Sequence, residues 1–376
     1  MVEELKRART LISERLDEHF RRFGKDLSGV NSWGPDVAGR VLDYSLRGKM
    51  IRGGLVLLGA EAFSATEAAL SENGAGRTDV LDAGCAMELI QSFLLIHDDI
   101  MDDDDTRRGA PSVHAQYRDG GAGWGVTGVE AAPAFGRSMG ICAGDVTLLL
   151  AQQLVAGLSV EESTYRRINE LIAREIAFVG VAQMNDLYFG YLQDSVDQEA
   201  VYRLYRYKTG RYTFSLPLAL GAIFAGVSAE GVEELIQFGE EVGVVFQIID
   251  DDIGLFGETE KTGKPVGSDI QANKKTLHRH YLLEAVRERP AQAGEREELH
   301  ELFGAVDLDR SQVERIRERM VTSGAHDRVT ALLREHADRA REIADGFAAR
   351  YPASESAGAV RGFLNGLIDY NLKRQY

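Results

Sequence analysis

Apolar residues recur along this chain at intervals of three and four. Leu5, Ala8, Ile12, Leu16 and Phe20 fall on one stripe, and Leu235, Phe238, Val242, Val245 and Ile249 on another. This spacing follows the turn of an α-helix and predicts amphipathic helices. Period-two alternation of β-branched and aromatic residues is scarce, so strands are not expected. The chain has only 7 prolines, which leave windows such as 36–110 and 134–216 free for long helices. The pattern predicts helices near 3–24, 36–47, 51–68, 77–103, 137–157, 163–188, 197–225, 229–253, 274–287, 310–322, 326–349 and 356–372. The Gly-rich segment 119–134 is predicted as a mobile surface loop, 254–269 as a polar loop after a helix, and 70–77 as a short turn. No segment reads as a domain linker or a repeat. Residues 1–376 are therefore expected to form one large all-α domain.

Composition narrows the function. Lys and Arg total 43 against 59 Asp and Glu, a formal net charge of −16 among 376 residues. That balance excludes a general nucleic-acid binder and a polybasic membrane-surface protein. A hydrophobic share of 44% is that of a globular chain. No apolar run approaches ~18 uninterrupted residues, so no membrane span is expected. The charged N-terminus MVEELKRARTLISERLDEHF lacks the apolar core of a secretion signal. Cys85 and Cys142 both stand in apolar stretches and are expected to be buried free thiols, in keeping with a cytoplasmic protein.

Candidate chemistry concentrates at two acidic runs. Residues 93–114 read FLLIHDDIMDDDDTRRGAPSVH, so Asp98, Asp99 and Asp102–Asp105 end an apolar helix. A helix C-terminus carries partial negative charge, and the carboxylates repel one another, so a cation must compensate. Asp98 and Asp102 are one helical turn apart on the same face and could share a metal. Their oxygens suit a hard cation such as Mg²⁺. Asp250, Asp251 and Asp252 end a second apolar helix, VGVVFQIIDDD. Two such ends suggest two helices facing each other across a cavity.

Basic groups are spaced between them: Lys49 and Arg52 in GKMIRGG, Arg107 and Arg108 after the first run, Lys208 and Thr209 in YKTGR, and Lys264 in KTGKPVG. Carboxylates reach a diphosphate only through a metal, whereas Lys and Arg grip its oxygens directly. Apolar helices would shelter a hydrocarbon tail. The predicted ligand is an amphiphile with a diphosphate head.

The segments HDDIMDDDDTRRG and FQIIDDDIGLFG resemble the two aspartate-rich motifs of the trans-prenyl (isoprenyl) diphosphate synthases. GKMIR, YKTG, Gln183 with Asp186, AGD at 143–145 and TGKPVGSDIQANKKT resemble further family elements in order, from about residue 40 to residue 280. The resemblance implies an all-α bundle around a central cavity, the isoprenoid synthase fold, usually as a homodimer. It implies condensation of an allylic prenyl diphosphate with isopentenyl diphosphate, with Mg²⁺ as cofactor, three ions per site.

Carried over by position, Asp98, Asp102 and Asp250 ligand the metal, with Asp99 and Asp251 in support. Arg107, Lys208, Thr209, Gln247 and Lys264 hold the allylic diphosphate, and Lys274 lies near that head. Lys49, Arg52 and Arg108 hold isopentenyl diphosphate. Gln91 stands where many relatives place a histidine for that substrate. Asp98, Asp99, Asp102, Arg107, Lys208, Asp250 and Lys264 form the expected catalytic set. His97 is expected to be structural. Lys373 and Arg374 resemble a basic tail that closes over the site. Phe93 and Leu94 are expected to floor the hydrocarbon tunnel, which favours geranylgeranyl diphosphate (C20) as product, with farnesyl diphosphate next.

The sequence departs from the family pattern at Gly254, where many relatives carry the last aspartate of the second motif, and at Gly53, where proline is usual and a looser turn is expected. Restoring a carboxylate at 254 is expected to change the rate only a few-fold. A class I terpene cyclase would not need Lys49 and Arg52. A non-catalytic partner subunit would be expected to lose an aspartate-rich motif, and here the first is whole.

Overall fold

The computed structural model describes residues 1–64, 74–192, 195–257, 267–287, 293–305, 307–350 and 354–374, and these are helical almost throughout. They group into two compact units.

The N-terminal unit, Val2–Asn169 with Leu220–Val227, holds α1 (Val2–Ser28), α2 (Trp33–Leu46), α3 (Ile51–Phe63) and α4 (Gly74–Met101). A hairpin of β1 (Thr106–Arg107) and β2 (Ala110–Pro111) follows, then α5 (Val113–Gly120) and α6 (Ala131–Ala156). The predicted stripe Leu5, Ala8, Ile12, Leu16 and Phe20 is buried in full. Helix α4 is the spine and packs against α1, α2, α3, α5 and α6. It and α6 are apolar and long enough on composition to cross a membrane. In this unit they pack on each other and on α5.

Gly53 lets α3 approach α4 closely. A β-carbon there would lie 2.5 Å from the Gly84 carbonyl oxygen. Its N–H donates to Glu88 Oε1 at 2.7 Å, a bond that proline could not make. The expected looseness at Gly53 is therefore replaced by a tight helix crossing.

Segment 119–134 is not the simple loop expected. Gly121–Trp124 forms a 3₁₀ turn, and α6 begins at Ala131. Trp124 anchors it, with its ring 5.0 Å from Trp33 and 6.0 Å from both Tyr117 and Phe135. Arg40 lies over Tyr117 and Trp124. Glycine spacing concealed the packing of one aromatic residue. Cys142 also differs from expectation: it is exposed on α6, while Cys85 is buried, and both are free thiols.

The C-terminal unit comprises Met1, Glu170–Ala219 and Ser228–Tyr376. It takes in most of α7 (Glu162–Tyr191), then α8 (Gln198–Leu204), a π-helical segment (Tyr205–Ser215), the start of α9 (Leu216–Phe224) and α10 (Ala229–Phe256). After these come α11 (Ser268–Gln271), α12 (Leu277–Arg287), α13 (Ala293–Leu302), α14 (Arg310–Thr322), α15 (Ala325–Ala348) and α16 (Ser354–Leu372). Helix α10 is the second spine, packed by the π segment, α11, α12, α15 and α16. Its stripe Leu235, Phe238, Val242, Val245 and Ile249 is buried as predicted.

The expected single helix 197–225 is interrupted by the π segment. Wide π turns are uncommon and concentrate at functional sites. Here Gly210 and Gly243 bring the segment onto α10, since a β-carbon on Gly243 would lie 2.2 Å from Gly210 Cα. Of the expected turn 70–77 and loop 254–269, residues 70–73 and 258–266 lie outside the described residues, whereas 74–77 already belong to α4, 254–256 to α10 and 268–269 to α11.

Candidate active site

In the N-terminal unit, α4 ends in the first acidic run. The Asp102 N–H donates to the Asp98 carbonyl at 2.9 Å, so both residues remain in the last helical turn and share its face. Asp99 faces inward and its side chain is fully buried. It accepts the Tyr44 hydroxyl at 2.8 Å and Arg107 Nε at 2.6 Å. Burial pushes its carboxyl pKa up to about 6, against the pull of Arg107 and Tyr44. Arg107 also reaches Asp104 at 3.2 Å and Asp98 at 3.6 Å. It supplies part of the positive charge that the acidic helix end requires.

The hairpin separates the paired arginines. Arg108 and Gly109, its two turn residues, both have positive φ, 54° and 74°. Tight two-residue hairpins demand that geometry, which glycine accepts freely and arginine does not. Arg107 is thereby directed to Asp99, whereas Arg108 lies against Gly48 of GKMIR. A β-carbon on Gly48 would be 2.7 Å from Arg108 Nη1.

Lys49 is exposed beside Met50, which is buried with φ of 51° and precedes α3. Glu88, buried in α4, accepts from the backbone at the start of α3 and feels the charges of Arg52 and Arg108. Burial holds its carboxyl above the usual range. Burial and the charges of Arg52 and Arg107 lower the Arg108 pKa, despite Tyr44 and Glu88. Gln91, one turn beyond Glu88, is buried, and its Oε1 has no hydrogen-bond partner among the described residues.

Phe93 is half-buried, and its ring stands edge-on to His97 at 5.0 Å. The His97 Nε2–H donates to the Ile141 carbonyl of α6 at 3.2 Å. His97 therefore links the Phe93 ring to the backbone of α6. Leu94 is also half-buried.

In the C-terminal unit, the three aspartates at the end of α10 diverge. Asp250 is exposed and meets Arg374 Nη2 at 3.2 Å. Arg374 in turn lies 4.0 Å over the Phe246 ring. Asp251 is buried, accepting the Tyr205 hydroxyl and Gln247 Nε2, the latter at 2.8 Å. Burial, then the charge of Asp269, pushes its carboxyl pKa up to about 8. Asp252 turns to His278 at 3.2 Å and His326 at 3.1 Å.

Thr209, in the π segment, donates to Gln247 Oε1 at 2.8 Å. Thr209, Gln247, Asp251 and Tyr205 thus form one hydrogen-bonded chain. It ends on the Leu277 N–H, which donates to Tyr205 Oη at 3.0 Å. Lys208 pairs with Asp186, and Lys274 with Asp269 at 2.8 Å. Lys264 lies outside the described residues.

Four non-glycine residues have positive φ among the described residues: Met50, Asp103, Arg108 and Asn273. Each belongs to a motif singled out from the sequence. Strained backbone of this kind persists where the surroundings fix it, often at functional sites.

The Polyprenyl synthetase family model matches residues 35–320. The chain belongs to that family. A geranylgeranyl diphosphate synthase of Sulfolobus acidocaldarius is 34% identical over 54% of this chain and 56% of its own. A short chain isoprenyl diphosphate synthase of Methanocaldococcus jannaschii is matched over 54% of its length, so the chain spans little more than half of these two relatives. A geranylfarnesyl diphosphate synthase of Aeropyrum pernix is 31% identical over 87% of this chain and 90% of its own. The all-α fold is shared with a crystal structure of geranylgeranyl pyrophosphate synthase from Corynebacterium glutamicum, with a TM-score of 0.85, 26% identity and 99% of both chains covered. That crystal structure is complexed with isoprenyl diphosphate and magnesium.

Sequence reasoning on this polyprenyl synthetase family member missed Tyr44, Glu88, Tyr205 and Asp269. Glu88 left a signal, as the only charged residue between Gly84 and Ile96. The two tyrosines left none, because a buried tyrosine reads as core.

Proposed function

We propose that this protein is a Mg²⁺-dependent trans-prenyltransferase that condenses isopentenyl diphosphate with an allylic prenyl diphosphate, giving geranylgeranyl diphosphate. The observation that carries the reading is the shared build of the two acidic helix ends. In each, one aspartate is buried against a tyrosine, and the aspartate before it is more accessible, half-buried at Asp98 and exposed at Asp250.

Asp98, Asp102 and Asp250 fit Mg²⁺, which usually takes one or two carboxylates and completes its shell with water and substrate phosphate. Three ions would serve the site. When bound, Mg²⁺ supplies charge stabilisation to a departing diphosphate. Arg107, Lys208, Thr209, Lys264 and Lys274 hold the allylic diphosphate and share that task. Gln247 keeps Asp251 and Thr209 in register. Lys49, Arg52 and Arg108 grip isopentenyl diphosphate, with Gln91 offering an uncharged amide. Apolar helix faces exclude water from the carbocation formed when the allylic C–O bond breaks. The isopentenyl double bond attacks that cation, and the released diphosphate takes the proton that is then lost.

Phe93 supports C20 as the product, since a ring braced by His97 resists being pushed aside by a longer tail. The exposed apolar residues Phe178, Val181, Met184, Tyr188 and Tyr191 along α7 suit a second copy of this chain, making a homodimer. The free thiols of Cys85 and Cys142 suit the cytoplasm.

Incubation with labelled isopentenyl diphosphate, allylic primers of graded length and Mg²⁺, followed by chromatographic sizing, tests the proposal. A C20 product is expected. Release of cyclic hydrocarbons, or no turnover without a second protein, would refute it.

A further inference from the structure

We infer that Arg211 is a positioning residue for the allylic diphosphate: its ion pairs with Glu175 and Glu240 hold the π segment in the form that presents Lys208 and Thr209. The inference rests on the prenyl-transfer reading, which assigns those two side chains to that diphosphate, and it concerns what keeps them in place.

The π segment, Tyr205–Ser215, runs for 11 residues. Wide turns ordinarily occur singly inside α-helices, so a run of this length needs contacts from outside to sustain it. Arg211 makes such contacts. Its Nε donates to Glu175 Oε2 at 2.7 Å and its Nη2 to Glu175 Oε1 at 2.8 Å, a two-pronged grip on a carboxylate of α7. Its Nη1 donates to Glu240 of α10. One planar guanidinium thus joins three elements, which a lysine could not do with the same geometry. The side chains of Glu175 and Arg211 are only 1% and 12% exposed. A carboxylate so buried is costly unless its partner stays in place, so the pair fixes residue 211 against α7.

Helix α7 meets the segment at a second point. Lys208 pairs with Asp186, roughly three helical turns along α7 from Glu175. The two ion pairs flank Thr209, which donates to Gln247 of α10 at 2.8 Å. Lys208 is assigned to substrate, so its bond to Asp186 is exchangeable. When Lys208 turns to a diphosphate, the Arg211 fork still ties the segment to α7. Without the fork, relaxation toward 3.6 residues per turn would swing Lys208 and Thr209 round the helix axis. A segment held in one form before substrate arrives removes an ordering cost from binding. Lys49, Arg52 and Arg108, assigned to isopentenyl diphosphate, belong to the other unit and do not depend on this clamp.

Arg211→Met keeps the length of the side chain and removes its charge and fork. It is expected to raise KM for the allylic diphosphate about ten-fold, with a smaller effect on kcat and on KM for isopentenyl diphosphate. Arg211→Lys restores the charge alone and is expected to recover part of the loss. Circular dichroism and thermal melting establish that each variant is folded. A cycle against Lys208→Ala with Thr209→Ala separates positioning from general damage. Because Arg211 acts through those two side chains, Arg211→Met should add little to KM once they are removed. Additive losses, a parent-like KM in Arg211→Met, or equal loss on both substrates would each overturn the inference. Should Arg211→Met not fold, Arg211→Lys takes its place under the same criteria.

Calorimetric binding of inorganic diphosphate with Mg²⁺ gives a second readout that does not need turnover. Weakened binding in folded Arg211→Met, in a protein that makes no prenyl product, would sustain the positioning of a diphosphate and refute the proposed reaction. Unchanged binding in that variant would refute the inference whatever the enzyme makes.

Discussion

The Tyr205 hydroxyl donates to the buried carboxylate of Asp251, as the Tyr44 hydroxyl does to Asp99. Each pair ties an acidic helix end to a different element: Tyr44 comes from α2 and Tyr205 from the π segment. The same solution serves two helix ends whose buried aspartates, Asp99 and Asp251, lie far apart along the chain. The second residue of an Asp-Asp pair is buried and hydrogen-bonded, whereas its predecessor is more accessible, half-buried at Asp98 and exposed at Asp250. The buried aspartate costs stability, and the tyrosine offsets part of that cost.

Asp251 gives the metal-free protein a pH dependence. Its carboxyl titrates near 3.8 when unfolded and about 8 when folded. Between those values the folded chain holds a proton that the unfolded chain has lost. Stability should therefore fall as pH rises through that window. Thermal melting in EDTA between pH 5 and pH 8.5 should show this fall, and Asp251→Asn should flatten it. A variant as steep as the parent would assign the dependence to another group.

Removing either tyrosine hydroxyl should destabilise the fold. Tyr44→Phe leaves Asp99 with Arg107, so a loss of ~1–3 kcal/mol is expected from chemical denaturation. Tyr205→Phe should cost more, because Tyr205 also accepts the Leu277 N–H. Equal losses would mean that this N–H finds another acceptor.

The aspartates should separate by role. Asp98→Ala and Asp102→Ala are expected to abolish most turnover, and EDTA should do the same to the parent. Asp252→Asn should retain most of it, since Asp252 is engaged by His278 and His326. Initial rates at saturating Mg²⁺ decide this, and near-parent activity in Asp98→Ala would end its assignment to the metal.

Substrate contacts should divide kinetically. Lys49→Ala and Arg52→Ala are expected to raise KM for isopentenyl diphosphate about ten-fold or more, the equivalent of ~1.5–3 kcal/mol for a lost charge-assisted contact. Lys264→Ala and Lys208→Ala should act on the allylic substrate instead. Steady-state kinetics with each substrate varied in turn would expose a wrong assignment as an equal effect on both.

Phe93→Ala should lengthen the product beyond C20, because the ring is replaced by open space. His97→Ala, which removes the brace at 5.0 Å, should broaden the product distribution in the same direction. Reversed-phase sizing of the products reads both, and an unchanged length in active Phe93→Ala protein would remove it from the tunnel floor.

Much of this molecule was legible in one dimension. The two apolar stripes on α1 and α10 are local, and their burial follows from the 3.6-residue turn alone. The acidic runs at the ends of α4 and α10 announced themselves because carboxylates are unfavourable there. Paired with lysines and arginines at fixed places, they were enough to name diphosphate chemistry. What sequence determined, then, was helix periodicity, helix ends and the chemical inventory, all set by residues within a few turns of one another.

The tertiary structure decided the rest. Sequence spacing could not say that Arg107 would turn to Asp99 while Arg108 turned to Gly48, because a hairpin with two positive φ values separates them. It could not show that the space at Gly53 is filled by Gly84, since a glycine's purpose is the neighbour it admits. Nor could it find Tyr44 and Tyr205, whose partners lie 55 and 46 residues away. Those contacts arise only when helices distant in sequence pack. Burial then fixes which carboxylate stays at the surface and which is locked inside.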